Sequence, residues 1–300
     1  MIIAKITSGL GNQLFQYAIS RDLARHAKTD LKLDISEYAT SSFRAYGLKY
    51  FNIPQIIASA EEIGEFRVSG KRRPASLGNK IWRNLINNIF IALIHKKIYL
   101  TRRTIPLLMP VLSVISKYLD VIYVECYWQG EEYFRGVEDT LRRELTVRRE
   151  FDNIPENILH SIDSVNSVAI HIRRGDYTSY QPLVLLPLDY YRKAVEKIIN
   201  LCENPRFFIF SDDINLAKQN LGWLASHATF VGGYTKDYED LMLMSRCKHN
   251  IIANSTFSWW GAWLNSNPDK IVVAPKEWFA DKRINARRIK HLIPQNWIKI

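Results

Sequence analysis

The chain has 300 residues, 47% of them hydrophobic and 24% charged, with only 13 glycines and 11 prolines. Those proportions exclude a disordered, collagen-like or low-complexity chain, and the length fits two domains of about 150 residues or one large α/β unit. A net charge of +11 leaves a polyanionic partner open, while three cysteines outside any CxxC or Cys/His cluster exclude a disulfide framework and a structural zinc, and point to a reducing compartment.

In chain order, residues 2–6 (IIAKI) predict a strand and SGLGN a glycine-bearing turn. Residues 13–27 predict a helix with Leu14, Phe15, Ala18, Ile19 and Leu23 on one face, and 31–35 (LKLDI) a second strand. This is a βαβ-like opening. It lacks the basic-then-apolar pattern of a secretory signal, so none is expected.

Residues 66–119 contain no acidic residue and eleven cations, which equals the whole net excess. Within this basic insert Ile81, Leu85, Ile89 and Leu93 recur every four residues, the mark of a wide apolar helix face. A Pro-punctuated apolar stretch follows at 105–115. Three readings stay open: a core helix with a solvated basic face, a patch on an anionic membrane surface, or a nucleic-acid contact without a recognisable module. The longest clean apolar run, residues 89–94, is far short of the about 18 residues a spanning helix needs.

Residues 121–128 predict a strand and 131–145 a helix, and the charged stretch around Pro155 marks a boundary between domains 1–155 and 156–300. The second half alternates strands at 167–172, 206–210, 228–231, 250–253 and 271–274 with helices at 188–201, 214–225, 238–246 and 258–265. Such alternation implies a parallel sheet with helices on both faces, and ligands bind such sheets at the carboxyl ends of the strands.

Four motifs sit at such ends. HIRRGDY (171–177) sets two arginines, whose planar forks suit phosphate oxygens, beside Asp176, which can orient an arginine or take a proton. NSTFSWWGAWLN (254–265) runs from a strand into a capped helix, whose N–H groups and hydroxyls make an anion site; its tryptophans read as core. In SGLGNQLFQYA (8–18), Gly9 and Gly11 match the first two glycines of a dinucleotide-binding turn and Asp34 ends the next strand. Leu14 takes the place of the third glycine, where it obstructs close helix–strand packing. In SDD (211–213), Asp213 reads most simply as a helix cap; a metal site is the other reading, without a histidine at ligand spacing. His171 is either part of the arginine site or a hydrogen-bonded core residue.

Together GLGNQLFQYA, HIRRGDY, FSDD and ANSTFSWWGAWL, in that order, resemble the bacterial α-1,2-fucosyltransferases of glycosyltransferase family 11 over nearly the whole chain, residues 60–120 and 179–187 excepted. The resemblance implies a metal-independent, cofactor-free α/β enzyme of GT-B-like fold, with two Rossmann-like domains facing a cleft. It implies GDP-β-L-fucose as donor, held mostly by the C-terminal domain, and a terminal β-galactoside as acceptor, attacked through its 2-hydroxyl with inversion. By carry-over, Arg173 would hold the β-phosphate with Arg174 in support. His171 would lie in the same site, and Ser255, Thr256, Phe257 and Ser258 would line the pyrophosphate. Asp240 would read guanine. The N-terminal domain would be the acceptor side, and from it Gly11 and Asn12 would approach the donor or acceptor, Asn12 joining Arg173 and Asp176 in the catalytic set. Related α-1,6 enzymes carry a lysine directly after the aspartate and a glutamate four residues on, where this chain has Tyr177 and Gln181. Asp176 is the candidate base by its place in the motif; its other role would be to orient Arg173 or His171.

The implied setting is cytoplasmic surface-glycan (O-antigen) synthesis on a lipid-linked acceptor, with peripheral membrane contact through 66–119. The competing readings are a NAD(P)-linked oxidoreductase using the Gly9/Gly11 turn, and a membrane-surface or nucleic-acid binding protein using the basic insert.

Overall fold

Short β-branched and apolar runs separated by helical segments assemble into two parallel sheets in the computed structural model, which describes residues 1–40, 44–67, 96–101, 114, 116–174, 184–232 and 236–300. The helix predicted within 81–94, the stretch 105–113 and Asp176 lie outside the described residues. No helix among the described residues is long and apolar enough to cross a membrane.

The chain divides into two compact units. The first comprises residues 1–49, 53–128 and 132–144; the second comprises 145–300 with the short pieces 50–52 and 129–131. In the first unit β1 (Ile2–Lys5), α1 (Leu10–Ala27) and β2 (Leu31–Asp34) form the expected opening. The helix α2 (Ala60–Arg67) follows, then β3 (Lys97–Thr101) and β4 (Val121–Glu125). All pairings are parallel and the sheet order is β2-β1-β4-β3.

Two elements differ from expectation. Strand β3 lies inside the basic insert, where flanking cations hide the pattern that buries Ile98 and Leu100. The helix expected over 131–145 is broken into short turns at Glu131–Tyr133 and Arg135–Val137, followed by α3 (Glu138–Glu144). Gly136 explains the break within the first unit. A side chain there would collide with Arg25 and Asp22 of α1, and Phe134 beside it is buried against Phe15.

The second unit carries α4 (Glu156–Asp163), β5 (Asn166–Ile172), α5 (Leu188–Ile199), β6 (Pro205–Ser211), α6 (Ile214–Leu221) and β7 (Ala228–Val231). There follow α7 (Asp237–Arg246), β8 (His249–Ile251), α8 (Thr256–Leu264), β9 (Val272–Ala274), α9 (Lys282–Leu292) and β10 (Ile298–Lys299). Its sheet is parallel throughout, in the order β10-β9-β8-β5-β6-β7. Helices cover both faces, which is why β5 is an unbroken buried run from Ser167 to Ile172.

Helix α8 is apolar all round and therefore buried. Trp259, Trp260 and Trp263 are core residues, and the Trp259 indole donates to the Leu292 carbonyl at 2.7 Å. Gly261 lets α8 approach α7: a Cβ there would lie 3.0 Å from that of Met244.

Candidate active site

The second sheet reverses its winding at β5 and β8. From β5 the order runs out through β6 to β7; from β8 it runs the other way, through β9 to β10. Ligands of open α/β sheets sit at such a switch point, outside the carboxyl ends of the strands. Here those ends are the arginine motif after β5 and the Asn254–Ser258 segment after β8. The two meet: the His171 and Phe257 rings are 5.4 Å apart. Asn254 holds the second motif in place, its amide donating to the carbonyls of Val184 (2.7 Å) and Trp278 (3.1 Å).

Arg173 is aimed by a neighbour on the next strand. Ile172 of β5 pairs with Ser211 of β6, so the parallel register sets Asp212 beside Arg173. One Asp212 oxygen lies 3.2 Å from Arg173 Nε, and the other accepts the Arg174 backbone N–H at 3.0 Å. Both members of the ion pair are half-buried. Arg174 Nε is buried without a hydrogen-bond partner. His171 is buried, and burial, with the Arg173 charge second, pushes its pKa down to about 3. The ring is therefore neutral near pH 7, and its Nδ1 has no hydrogen-bond partner.

Opposite them stands the N-terminus of α8. Ser255 caps it, its hydroxyl oxygen accepting from the Phe257 N–H at 3.3 Å, and no acidic residue lies in the first turn. The unfilled N–H groups and the helix dipole make this end positive. Thr256 and Phe257 are half-buried, and Ser258 is buried with its hydroxyl donating to the carbonyls of Ala253 (3.3 Å) and Ser255 (3.2 Å). The switch point thus gathers His171, Arg173, Arg174, Ser255, Thr256, Phe257 and Ser258. Asp240 stands apart from this edge in the chain, half-buried in the first turn of α7, with its backbone N–H on the Lys236 carbonyl.

Gly11 and Asn12 begin α1 in the first unit. The turn before them differs from the expected glycine turn. The left-handed residue is Ser8 (φ 67°), while Gly9 has an ordinary φ of −77°. Ser8 is held from several sides. Its carbonyl accepts from Gln13 Nε2 at 2.8 Å and from the Tyr38 hydroxyl at 2.9 Å. Gln16 fastens the preceding residue, accepting the Thr7 N–H at 2.8 Å and donating to the Thr7 hydroxyl at 3.0 Å. The glutamines of GNQLFQ are therefore clamps, a role that only their burial reveals.

Two residues count against the dinucleotide reading. Leu14 is fully buried where that fold needs a glycine. Asp34 is also buried, accepting from the Tyr123 hydroxyl at 2.5 Å and the Ser36 N–H at 2.9 Å, so it cannot face a ribose. Asp213 caps α6 through the Leu216 N–H at 3.0 Å, as expected. No group of three or more His, Cys, Asp or Glu among the described residues could hold a metal ion.

Comparisons with known proteins bear on the family and the fold. The model of glycosyl transferase family 11 matches residues 1–300. The O-antigen biosynthesis glycosyltransferase WbnK of Escherichia coli is 33% identical, over 92% of this chain and 94% of WbnK. An alpha-1,2-colitosyltransferase of E. coli is 29% identical, over all of this chain and 99% of that protein. Among solved structures, fucosyltransferase NodZ from Bradyrhizobium superposes with a TM-score of 0.53 at 17% identity, covering 87% of this chain and 91% of NodZ. The two parallel α/β units are those of a GT-B-like fold.

Proposed function

The chain belongs to glycosyl transferase family 11, and from that footing we propose that it moves L-fucose from GDP-β-L-fucose to the 2-hydroxyl of a terminal β-galactoside, with inversion. The observation that carries the donor half is the meeting of the arginine motif with the first turn of α8 at the switch point, through the His171 and Phe257 rings. As the bond to fucose breaks, the leaving nucleoside diphosphate gains negative charge, and stabilising that charge is most of the catalytic work. Arg173 supplies a cation and α8 supplies N–H donors and a positive dipole end, so this reading calls for neither metal nor cofactor. Asp212 keeps the guanidinium oriented before the donor arrives. The neutral His171 adds no charge, so the positive charge of the motif is that of Arg173 and Arg174. Arg174 supports the motif, and Asp240 and Asn12 keep the roles that the family motifs suggest.

The motifs of the family and the α-1,2 linkage named for the colitosyltransferase support the linkage. Asp176 is the proposed base; Asp176→Asn should lower kcat far more than donor affinity. The place we assign is O-antigen synthesis in the cytoplasm, on a lipid-linked acceptor, with the basic insert against the inner membrane face. WbnK, a relative in O-antigen biosynthesis, supports that setting. Neutralising the cations between 66 and 119 should then release the protein from membranes in cells.

A second reading has its own support: the full-length likeness to a colitosyltransferase makes a colitosyl residue the alternative cargo. The test offers fucosyl and colitosyl donors to the protein with a terminal β-galactoside, in EDTA, and identifies the linkage by NMR. An α-1,2-fucosylated product meets the proposal. Transfer from the colitosyl donor alone supports the second reading, and no transfer from either overturns both.

A further inference from the structure

In the first unit the carboxyl ends of β1 and β4, neighbours in the sheet, bring together Thr7, Ser8 and Tyr127. The Tyr127 hydroxyl is bonded to the Thr7 hydroxyl and, at 2.9 Å, to that of Ser8. The direction of this chain follows from satisfying its buried member. Gln16 is oriented by the Thr7 N–H on its carbonyl oxygen, so its Nε2 donates to the Thr7 hydroxyl. Thr7 is only 3% exposed, and a buried hydroxyl proton without a partner is costly. Its proton therefore goes to Tyr127, which leaves the bonded Tyr127 and Ser8 hydroxyls as the outer end of the chain, with one proton between them and one free to donate outward.

Three further features suit a ligand there. Tyr127 is 40% exposed, so its ring offers an open face beside the Ser8 hydroxyl. Ser8 occupies a left-handed conformation that glycine would adopt without strain, and such strain gathers where a side chain has work to do. Gly9 has an ordinary φ, and among the described residues a Cβ there would meet nothing nearer than Arg44 Nε at 3.8 Å, so its bare Cα leaves room at the turn.

We infer that this edge seats the sugar ring of the acceptor, a neutral glycoside, with its apolar face on Tyr127 and one of its oxygens accepting from the Ser8–Tyr127 hydroxyl pair. The inference rests on the glycosyl-transfer reading above and adds to it which residues of the first unit choose the acceptor. A neutral ring fits a set made of one aromatic face and relayed hydroxyls, as a hydrogen bond to a sugar oxygen replaces one to water.

The test is saturation-transfer NMR with methyl β-galactoside on the full chain, with and without GDP, for the wild type and for Tyr127→Ala, Tyr127→Phe, Ser8→Gly and Ser8→Ala. Calorimetry with GDP runs alongside. Tyr127→Ala should weaken galactoside binding about tenfold and Tyr127→Phe about threefold, since the ring face survives in the second. Ser8→Gly should weaken it several-fold without lowering Tm, because glycine relieves the strain while one hydroxyl of the pair is lost. Ser8→Ala should weaken it as much and also lower Tm. GDP affinity should stay within about twofold throughout. Unchanged galactoside binding in Tyr127→Ala and Ser8→Gly would overturn the inference, as would a wild type that binds no galactoside, or GDP affinity falling in step with galactoside binding. A wild type that binds galactoside through Tyr127 but does not transfer fucose would contradict the transfer reading alone and uphold this one.

Discussion

The two sheets present opposite chemistries at their carboxyl edges. At the switch point of the second, the groups are charged or polarised: Arg173 braced by Asp212, and the positive end of α8. At the corresponding edge of the first, the turn after β1 is held by neutral amides and hydroxyls, Gln13, Gln16, Thr7, Ser8 and Tyr127, while the charges there, Lys5 and Glu125, are paired with each other at 3.0 Å. On the proposed function, the difference teaches how one parallel architecture would divide labour. A leaving phosphate needs fixed positive charge, whereas a neutral sugar needs directed hydrogen bonds and an aromatic face. The neutral site depends on buried amides that hold a strained turn in shape.

Four substitutions break or sharpen that contrast. The largest effect is expected at the charged edge. Arg173→Lys keeps a cation but loses the planar fork, so kcat should fall about a thousandfold, with Tm nearly unchanged, in steady-state kinetics and a melt. Comparable kcat in the two proteins would remove Arg173 from the chemistry. Next comes the neutral edge. Gln13 is fully buried, donates to Ser8 and Ala45 carbonyls and accepts the Gly47 N–H at 2.8 Å. Gln13→Ala strands these groups and should cost about 2–3 kcal/mol in urea unfolding, with GDP affinity unaltered. A loss of GDP binding without a loss of stability would reverse the assignment of roles.

Third is the pH response of His171. Its folded pKa lies below the unfolded value of about 6.5, so the unfolded state takes up the proton first. Stability is therefore complete above about pH 6.5 and declines as pH falls toward 3, by up to about 1.4 kcal/mol per pH unit. Replacing His171 with Gln should flatten that part of the profile relative to the wild type. Parallel profiles would mean that His171 is not held neutral. The smallest effect belongs to Asp212→Asn. The pair it breaks is half-buried and partly screened, so GDP binding should weaken by about 1 kcal/mol or less in calorimetry, with kcat reduced through misorientation of Arg173.

Much of the fold is legible in the sequence because parallel strands between helices are short apolar runs. Five of those in the second half fall within one or two residues of their predicted places, while β10 and the helix α9 before it are not among the predicted elements. Strand β3 is not legible, since the cations around KIYLT mask its alternation. The helix expected at 131–145 fails at Gly136, a residue whose reason lies across the unit on Arg25 and Asp22. The arginine motif and the capped helix are legible because their chemistry is rare at strand ends. Asp212 is not, because its role depends on the register between β5 and β6, which no local pattern carries. Likewise the sequence points to Gly9 as the turn residue, whereas tertiary hydrogen bonds place Ser8 in the left-handed region.

The most direct measurement is calorimetric titration of GDP into the wild type and into Arg173→Ala, both in EDTA. The account predicts clear binding to the wild type that EDTA does not weaken, and a loss of at least tenfold in the variant. Equal affinity in the two proteins, or wild-type binding abolished by EDTA, would contradict a phosphate site built from Arg173 and the N-terminus of α8.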